Sequence, residues 1–202
     1  MKTILYKTDD NRKRSMSYLL VLLTFFISTL VIAQEKYKSN DVKVVVNGTS
    51  NIHDWKMQGS KGTTNATFLI QNKVIKALGF LYFSFPAENL KSEHKLMDKN
   101  CYKALKTDQH SSINFLGTSS TIKQVNATTF TIVTKGKLQI SEVTKEVELT
   151  STCTINPDNT ITCKGSTKVK MTDYNVEPPS VMMGSIVTGD EVTIDYTLTL
   201  SK

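Results

Sequence analysis

The sequence predicts an all-β protein, an antiparallel barrel or sandwich of about eight to ten strands with one short helix. Three observations carry that expectation. First, Phe130, Ile132, Leu138 and Ile140 share one parity while Thr131, Lys135, Lys137 and Gln139 hold the other, the period-two signature of a half-buried strand. Second, the rule persists. Val147, Leu149, Cys153 and Ile155 alternate with Glu146, Glu148, Thr150, Thr152 and Thr154, and Ile161, Cys163, Val169 and Met171 alternate with Lys164, Lys168 and Lys170. Pairing these runs about Asp158, in the turn Asn156-Pro157-Asp158-Asn159, sets Ile155 against Ile161 and Cys153 against Cys163, both on the apolar side. Third, a single stretch, Met97, Cys101, Ala104 and Leu105, recurs at helical spacing amid Asp98, Lys99, Asn100, Lys103 and Lys106, which reads as an amphipathic helix lying on the sheet.

The first 33 residues read as a cleavable secretory leader. Lys2, Lys7, Arg12, Lys13 and Arg14 precede an uncharged, largely apolar core from Tyr18 to Ile32, and Val31-Ile32-Ala33 offers a small-residue cleavage site before Gln34. That core is shorter than the ~20 residues a membrane span needs. No stable span is therefore expected after cleavage, and the product is expected to be exported to a periplasmic or extracellular space. The leader takes five bases and two acids with it, so the formal charge falls from +7 to +4. The remaining lysines lie mostly on the outward parity of strands, which argues for a solvated face and against a nucleic-acid partner. An oxidising compartment permits disulfides, and the hairpin register places Cys153 within bridging reach of Cys163. The bridge is expected, with two buried free thiols as the alternative, and Cys101 is left over on the helix.

In chain order, Gln34 to Asn40 reads as a polar tail, and Val42, Val44 and Val46 open the first strand. Gly48-Thr49-Ser50-Asn51 ends it, ahead of Ile52-His53-Asp54-Trp55-Lys56-Met57 with the one tryptophan. Ala66, Phe68 and Ile70 form the next strand, and Asn72-Lys73 turns into the apolar run Val74 to Phe85. There Ile75, Ala77, Gly79, Leu81, Phe83 and Phe85 are read as facing in, because Lys76, Tyr82 and Ser84 hold the other parity; Pro86 stops the run. Beyond the helix, Ile113, Phe115 and Gly117 form one strand, Thr121 to Val125 another, and the meander follows. The segment Thr172 to Ile186 is too irregular for a strand, and Val192, Ile194, Tyr196, Leu198 and Leu200 close the chain.

Catalytic signatures are missing: there is no Gly-x-Ser-x-Gly, no Gly-x-x-x-x-Gly-Lys and no His-Glu-x-x-His. His53, His94 and His110 lie in separate segments, so no metal centre is expected. His53 and Asp54 are adjacent on extended chain and point to opposite faces, which makes them a poor acid/base pair. Asp54 is expected in a turn, with Trp55 plugging one end of the core. The Asn-x-Thr triplets at Asn47, Asn65 and Asn126 are glycan acceptors only in a eukaryotic secretory route.

The run Gly48-Thr49-Ser50-Asn51-Ile52-His53-Asp54-Trp55 resembles the opening motif of one branch of the YceI-like proteins. Met97-Asp98-Lys99-Asn100 through Ala104-Leu105-Lys106 to Ile113-Asn114-Phe115 is similar to that family's helix-to-strand passage. Gly136-Lys137-Leu138-Gln139-Ile140 with Val143-Thr144-Lys145 is similar to its central hairpin, and Asp173-Tyr174-Asn175-Val176 to its late loop. Ser141-Glu142 and Asn175 stand where the family usually has glycine-containing turns. Over residues 40–201 the resemblance implies one domain, an antiparallel up-and-down lipocalin-like β-barrel of about eight strands with one short amphipathic helix. It also implies an exported protein that holds a long apolar, polyisoprenoid-type chain in its interior without catalysis and without cofactor, and a homodimer is compatible with it. Inward Ala77, Gly79, Gly117, Gly136, Ser151 and Gly165 would leave the volume. The lining expected from parity is Trp55, Phe68, Ile75, Gly79, Leu81, Phe83, Phe85, Met97, Phe115, Phe130, Ile132, Leu138 and Tyr196. Two other classes fit the residues: an exported β-sandwich adhesion or interaction module with a packed core, and a hydrolase or isomerase built on His53.

Overall fold

In the computed structural model, which describes residues 34–181 and 183–202, antiparallel strands close into a ring. The expected leader, residues 1–33, lies outside the described residues. The strands are β1 (Glu35–Ser50), β2 (Trp55–Ser60), β3 (Thr63–Gln71), β4 (Val74–Pro86), β5 (Ser112–Gln124), β6 (Thr129–Ile140), β7 (Val143–Ile155), β8 (Ile161–Lys170), β9 (Ser180–Val181) and β10 (Ile186–Ser201). Each neighbour pair is antiparallel, and β1 pairs with β10 to shut the sheet. β2 and β3 follow one another along the same flank of β1, facing Lys43–Gly48 and then Glu35–Ser39, so they share one place in the ring. Eight positions result, an up-and-down β-barrel. Its one α-helix among the described residues, α1 (Lys95–Leu105), sits in the β4–β5 connection.

The meander from β6 to β8 keeps the register that its alternation dictates, with Cys153 opposite Cys163 and Ile155 opposite Ile161. Cys153 and Cys163 are joined as a disulfide with their Cα atoms 4.1 Å apart. Asn72 and Lys73 both take positive φ, the geometry of a two-residue hairpin that follows strand twist. Asn175 adopts the left-handed conformation in the late loop where glycine is usual, and Ser141 has positive φ in the β6–β7 turn. Asparagine tolerates that conformation because its short amide bonds locally. Lys106 ends α1 in the same way, its N–H reaching the carbonyls of Tyr102 and Lys103.

Bulges overturn three local expectations. The polar tail Gln34–Asn40 is mostly strand. Glu35–Ser39 pairs with β3, and Tyr37 and Ser39 are buried. A register shift between Lys38 and Asp41 moves the inward parity from Tyr37 to Val42 and hides the strand from an alternation search. In β4, two shifts leave Ile70 opposite Ile75, Phe68 opposite Leu78 and Ala66 opposite Leu81. Leu78, not Ala77 or Gly79, therefore faces in; Gly79 and Phe80 are exposed. In β5, a shift between Gly117 and Ser119 joins the two expected strands into one and turns Ser120 and Ile122 inward.

Two ladders are incomplete. β4 pairs with β5 only from Tyr82 to Pro86, and β7 with β8 only from Ser151 to Ile155. Alongside the unpaired parts of β7 and β8, the turn at Thr172–Tyr174 packs Tyr174 and Val176 against Val147, Leu149, Val169 and Met171. The end of the barrel away from α1 is solid: Phe68, Ile75, Phe130, Ile155, Ile161 and Leu200 are buried there, and Tyr37 meets Phe68 edge to face at 5.5 Å.

Candidate functional site

Above that floor the interior stays open in two chambers. The outer one, about 330 Å³, lies under α1 and is bounded by Leu96, Met97, Cys101, Ala104 and Leu105 of the helix, by Trp55 and Met57, and by Tyr174, Val176 and Pro179 of the late loop. The inner one, about 130 Å³, reaches into the barrel between Phe68, Leu78, Leu81, Phe83, Phe85, Phe115, Ile132, Leu138 and Leu149. Val46, Leu90, Ile113 and Ile194 border both, so the chambers adjoin. Neither lining contains Asp, Glu, Lys or Arg.

The helix is fixed over this space by polar contacts on its outer side. The Tyr102 hydroxyl donates to the backbone oxygens of Leu90 (2.7 Å) or Glu88 (3.0 Å) and accepts from Lys91 Nζ at 2.6 Å. Asp98 accepts from Ser92 N and Oγ at 2.6 and 2.7 Å. At the other end Lys106 pairs with Glu142 of the β6–β7 turn, whose carboxylate also accepts from Ser141 Oγ at 2.6 Å. These bonds to Lys106 and Ser141 hold the Glu142 carboxyl down at about 2. Cys101 points inward, and burial first, with Asp98 nearby second, pushes its thiol up to about 12.

The residues expected to line a cavity divide three ways. Trp55 and Met97 border the outer chamber, and Phe68, Leu81, Phe83, Phe85, Phe115, Ile132, Leu138 and Tyr196 the inner one. Ile75 and Phe130 are buried in the floor, below the open volume. Gly79 lies on the outer face, for the reason given by the β4 bulges. The inward glycines do not supply the space either. A Cβ at Gly136 would lie 2.5 Å from Phe115 Cζ, and one at Gly165 would collide with the Tyr196 ring. Aromatic rings from neighbouring strands already occupy both places.

Leu78, Tyr174, Val176, His53 and His94 were not expected to border the cavity. Leu78 was masked by bulges and the late loop by its irregular pattern, while Val44, Val46 and Ile194 carried the right alternation throughout. His53 and His94 come to the same rim from different segments. His53 Nδ1 lies 2.8 Å from the backbone oxygen of Asp54 rather than from its carboxylate. No cluster of three or more metal-ligating side chains occurs among the described residues.

A family model for the YceI-like domain matches residues 33–200. The chain belongs to the YceI-like family. Solved structures share the fold at low identity. Burkholderia cenocepacia BcnA is 15% identical, covering 79% of this chain and 96% of its own at a TM-score of 0.63. A polyisoprenoid binding domain from Saccharophagus degradans, implicated in plant cell wall breakdown, is 10% identical, with 82% and 97% covered at 0.62. A Campylobacter jejuni YCEI protein is 13% identical, with 69% and 81% covered at 0.52. No curated protein matches the sequence.

Proposed function

We propose that this YceI-like chain is an exported, non-catalytic carrier or sequestering protein for a long apolar lipid of the polyisoprenoid type. The carrying observation is the pair of adjoining chambers, walled by hydrocarbon and roofed by α1. The outer chamber alone falls within the ~300–1,000 Å³ of small-molecule sites. Each CH₂ moved from water into such a space gains up to ~0.8 kcal/mol, so a few isoprene units give retention without charge pairing. A structure neighbour described as a polyisoprenoid binding domain supports the choice of lipid class. No helix among the described residues is long and apolar enough to cross a membrane. Export rests on the leader motif of the sequence.

Native mass spectrometry of protein purified from its own host, followed by release and identification of the bound mass, tests the reading. A prenyl lipid at near one equivalent is the expected result. Protein that is empty, and that takes up no prenyl alcohol or hydrocarbon on incubation, refutes it.

A further inference from the structure

The inner chamber is lined mostly by hydrocarbon and carries its few polar side chains on one wall. Val44, Phe68, Leu78, Leu81, Phe83 and Phe85 form the wall from β1, β3 and β4, whereas the opposite wall carries Thr134, Ser151, Thr167 and Tyr196 on β6, β7, β8 and β10. Three strands build the centre of that band. Ser151, Gly165 and Tyr196 are cross-strand neighbours in one row, and because Gly165 has no side chain the Tyr196 ring lies across it to bring its hydroxyl 2.8 Å from Ser151 Oγ. Two hydroxyls hold two protons, and their mutual bond uses one. The other is left for a further acceptor. Thr134, on β6, pairs in the same way with Ser120 Oγ at 3.1 Å. Ser151 and Tyr196 are both half-buried, and polar groups kept in an apolar cavity are matched by a ligand or an ordered water.

We infer that the Ser151–Tyr196 hydroxyl pair is a hydrogen-bonding station for an uncharged oxygen group at the inner end of the ligand, whose hydrocarbon remainder fills the outer chamber beneath α1. This rests on the lipid-carrier reading and adds an orientation and a head-group class. A hydroxyl, ether or carbonyl oxygen accepts the spare proton. A phosphate does not suit the station, because no Lys or Arg borders either chamber and a desolvated charge needs a partner. Burial raises the Tyr196 hydroxyl above the ordinary tyrosine range, while its bond with Ser151 pulls the other way, so it stays protonated and able to donate.

The test compares geranylgeraniol, its phosphate monoester and the hydrocarbon of the same skeleton without oxygen, each displacing the neutral fluorophore N-phenyl-1-naphthylamine from the mature protein. Wild type is expected to prefer the alcohol over both. Tyr196→Phe keeps the ring over Gly165 and removes the hydroxyl. It should lower the ratio of alcohol to hydrocarbon affinity by about tenfold, the worth of one hydrogen bond. Ser151→Ala should act in the same direction without altering the ring. Wild type that binds alcohol and hydrocarbon equally, variants that lose both in parallel as a water-filled station would, or a phosphate that binds as well as the alcohol, each overturn the assignment while leaving the carrier reading intact. Failure to bind even the hydrocarbon overturns the carrier reading and this assignment with it.

Discussion

Gly136→Ala and Gly79→Ala are expected to differ sharply, although both glycines carry strand alternation that reads as inward. At Gly136 the added Cβ would sit 2.5 Å from both the Phe115 ring and the Leu116 carbonyl, about 1 Å inside the ~3.5–4.0 Å separation of favourable contacts. The ring cannot retreat freely, since Phe115 is buried against Leu138 and Tyr174. Overpacking of this kind costs ~1–3 kcal/mol, offset by roughly 0.5–1 kcal/mol for removing glycine from a strand. A net loss of about 1–2 kcal/mol corresponds to a fall in Tm of roughly 2–8 °C for a domain of this size. At Gly79 the Cβ would approach only the Gln34 side chain at 3.0 Å and Thr67 Oγ1 at 3.1 Å, on the solvent face, so the change should stay within ~0.5 kcal/mol. Calorimetric melting, paired with lipid content by native mass spectrometry, reads both. A Gly136→Ala protein as stable as wild type would show that Gly136 borders empty volume, contrary to the packing of the Phe115 ring against it.

Three further outcomes follow from the cysteines and the helix tether. Thiol titration of denatured, unreduced mature protein should count one thiol, Cys101; reducing the Cys153–Cys163 bridge, which closes a loop with a sequence separation of 10, should cost about 3 kcal/mol on loop-entropy grounds, and a count of three thiols refutes the bridge. Cys101, with its thiol pushed up to about 12 from 9.0, should react with iodoacetamide about a thousandfold more slowly in native than in denatured protein at neutral pH, because the thiolate is the nucleophile; equal rates would place it outside the chamber. Glu142 is depressed in the folded state, so its stabilising effect is full above the ordinary glutamate value of 4.5 and is lost as pH falls toward about 2. Glu142→Gln should flatten the stability profile across that window, and an unchanged acid limb would show that the Lys106 tether contributes nothing.

The parts of the fold that were legible are those in which one physical rule acts alone. From Phe130 to Met171 every strand is paired without a bulge, so alternation, turn chemistry and register agree, down to Cys153 facing Cys163. The helix could be read from Met97, Cys101 and Leu105, which pack on the core. β4 could not be read in the same way. Its apolar residues occupy both parities, and bulges near Lys76 and Gly79 move the inward set from Ile75 to Leu78 to Leu81; a period-two rule carried through two inserted residues fails between them and recovers beyond them. That is why Leu81, Phe83 and Phe85 reach the cavity while Gly79 does not.

The cavity itself was not legible from residue size. Small inward residues were expected to leave room, yet Gly136 and Gly165 are sites where the backbone admits a ring from the next strand, Phe115 in one case and Tyr196 in the other. The space arises instead from how the ring of strands closes. β7 and β8 pair only below Ser151 and Gly165, so toward the helix they diverge, and Tyr174 and Val176 from the late loop seal the opening rather than filling the interior. A pattern of apolar parity reports which side chains face inward. It carries no information about where a ladder stops, because that depends on twist and on the length of the connections at the mouth. The single long β4–β5 connection supplies α1 as a roof, and the same connection keeps the roof tethered at Tyr102 and Lys106.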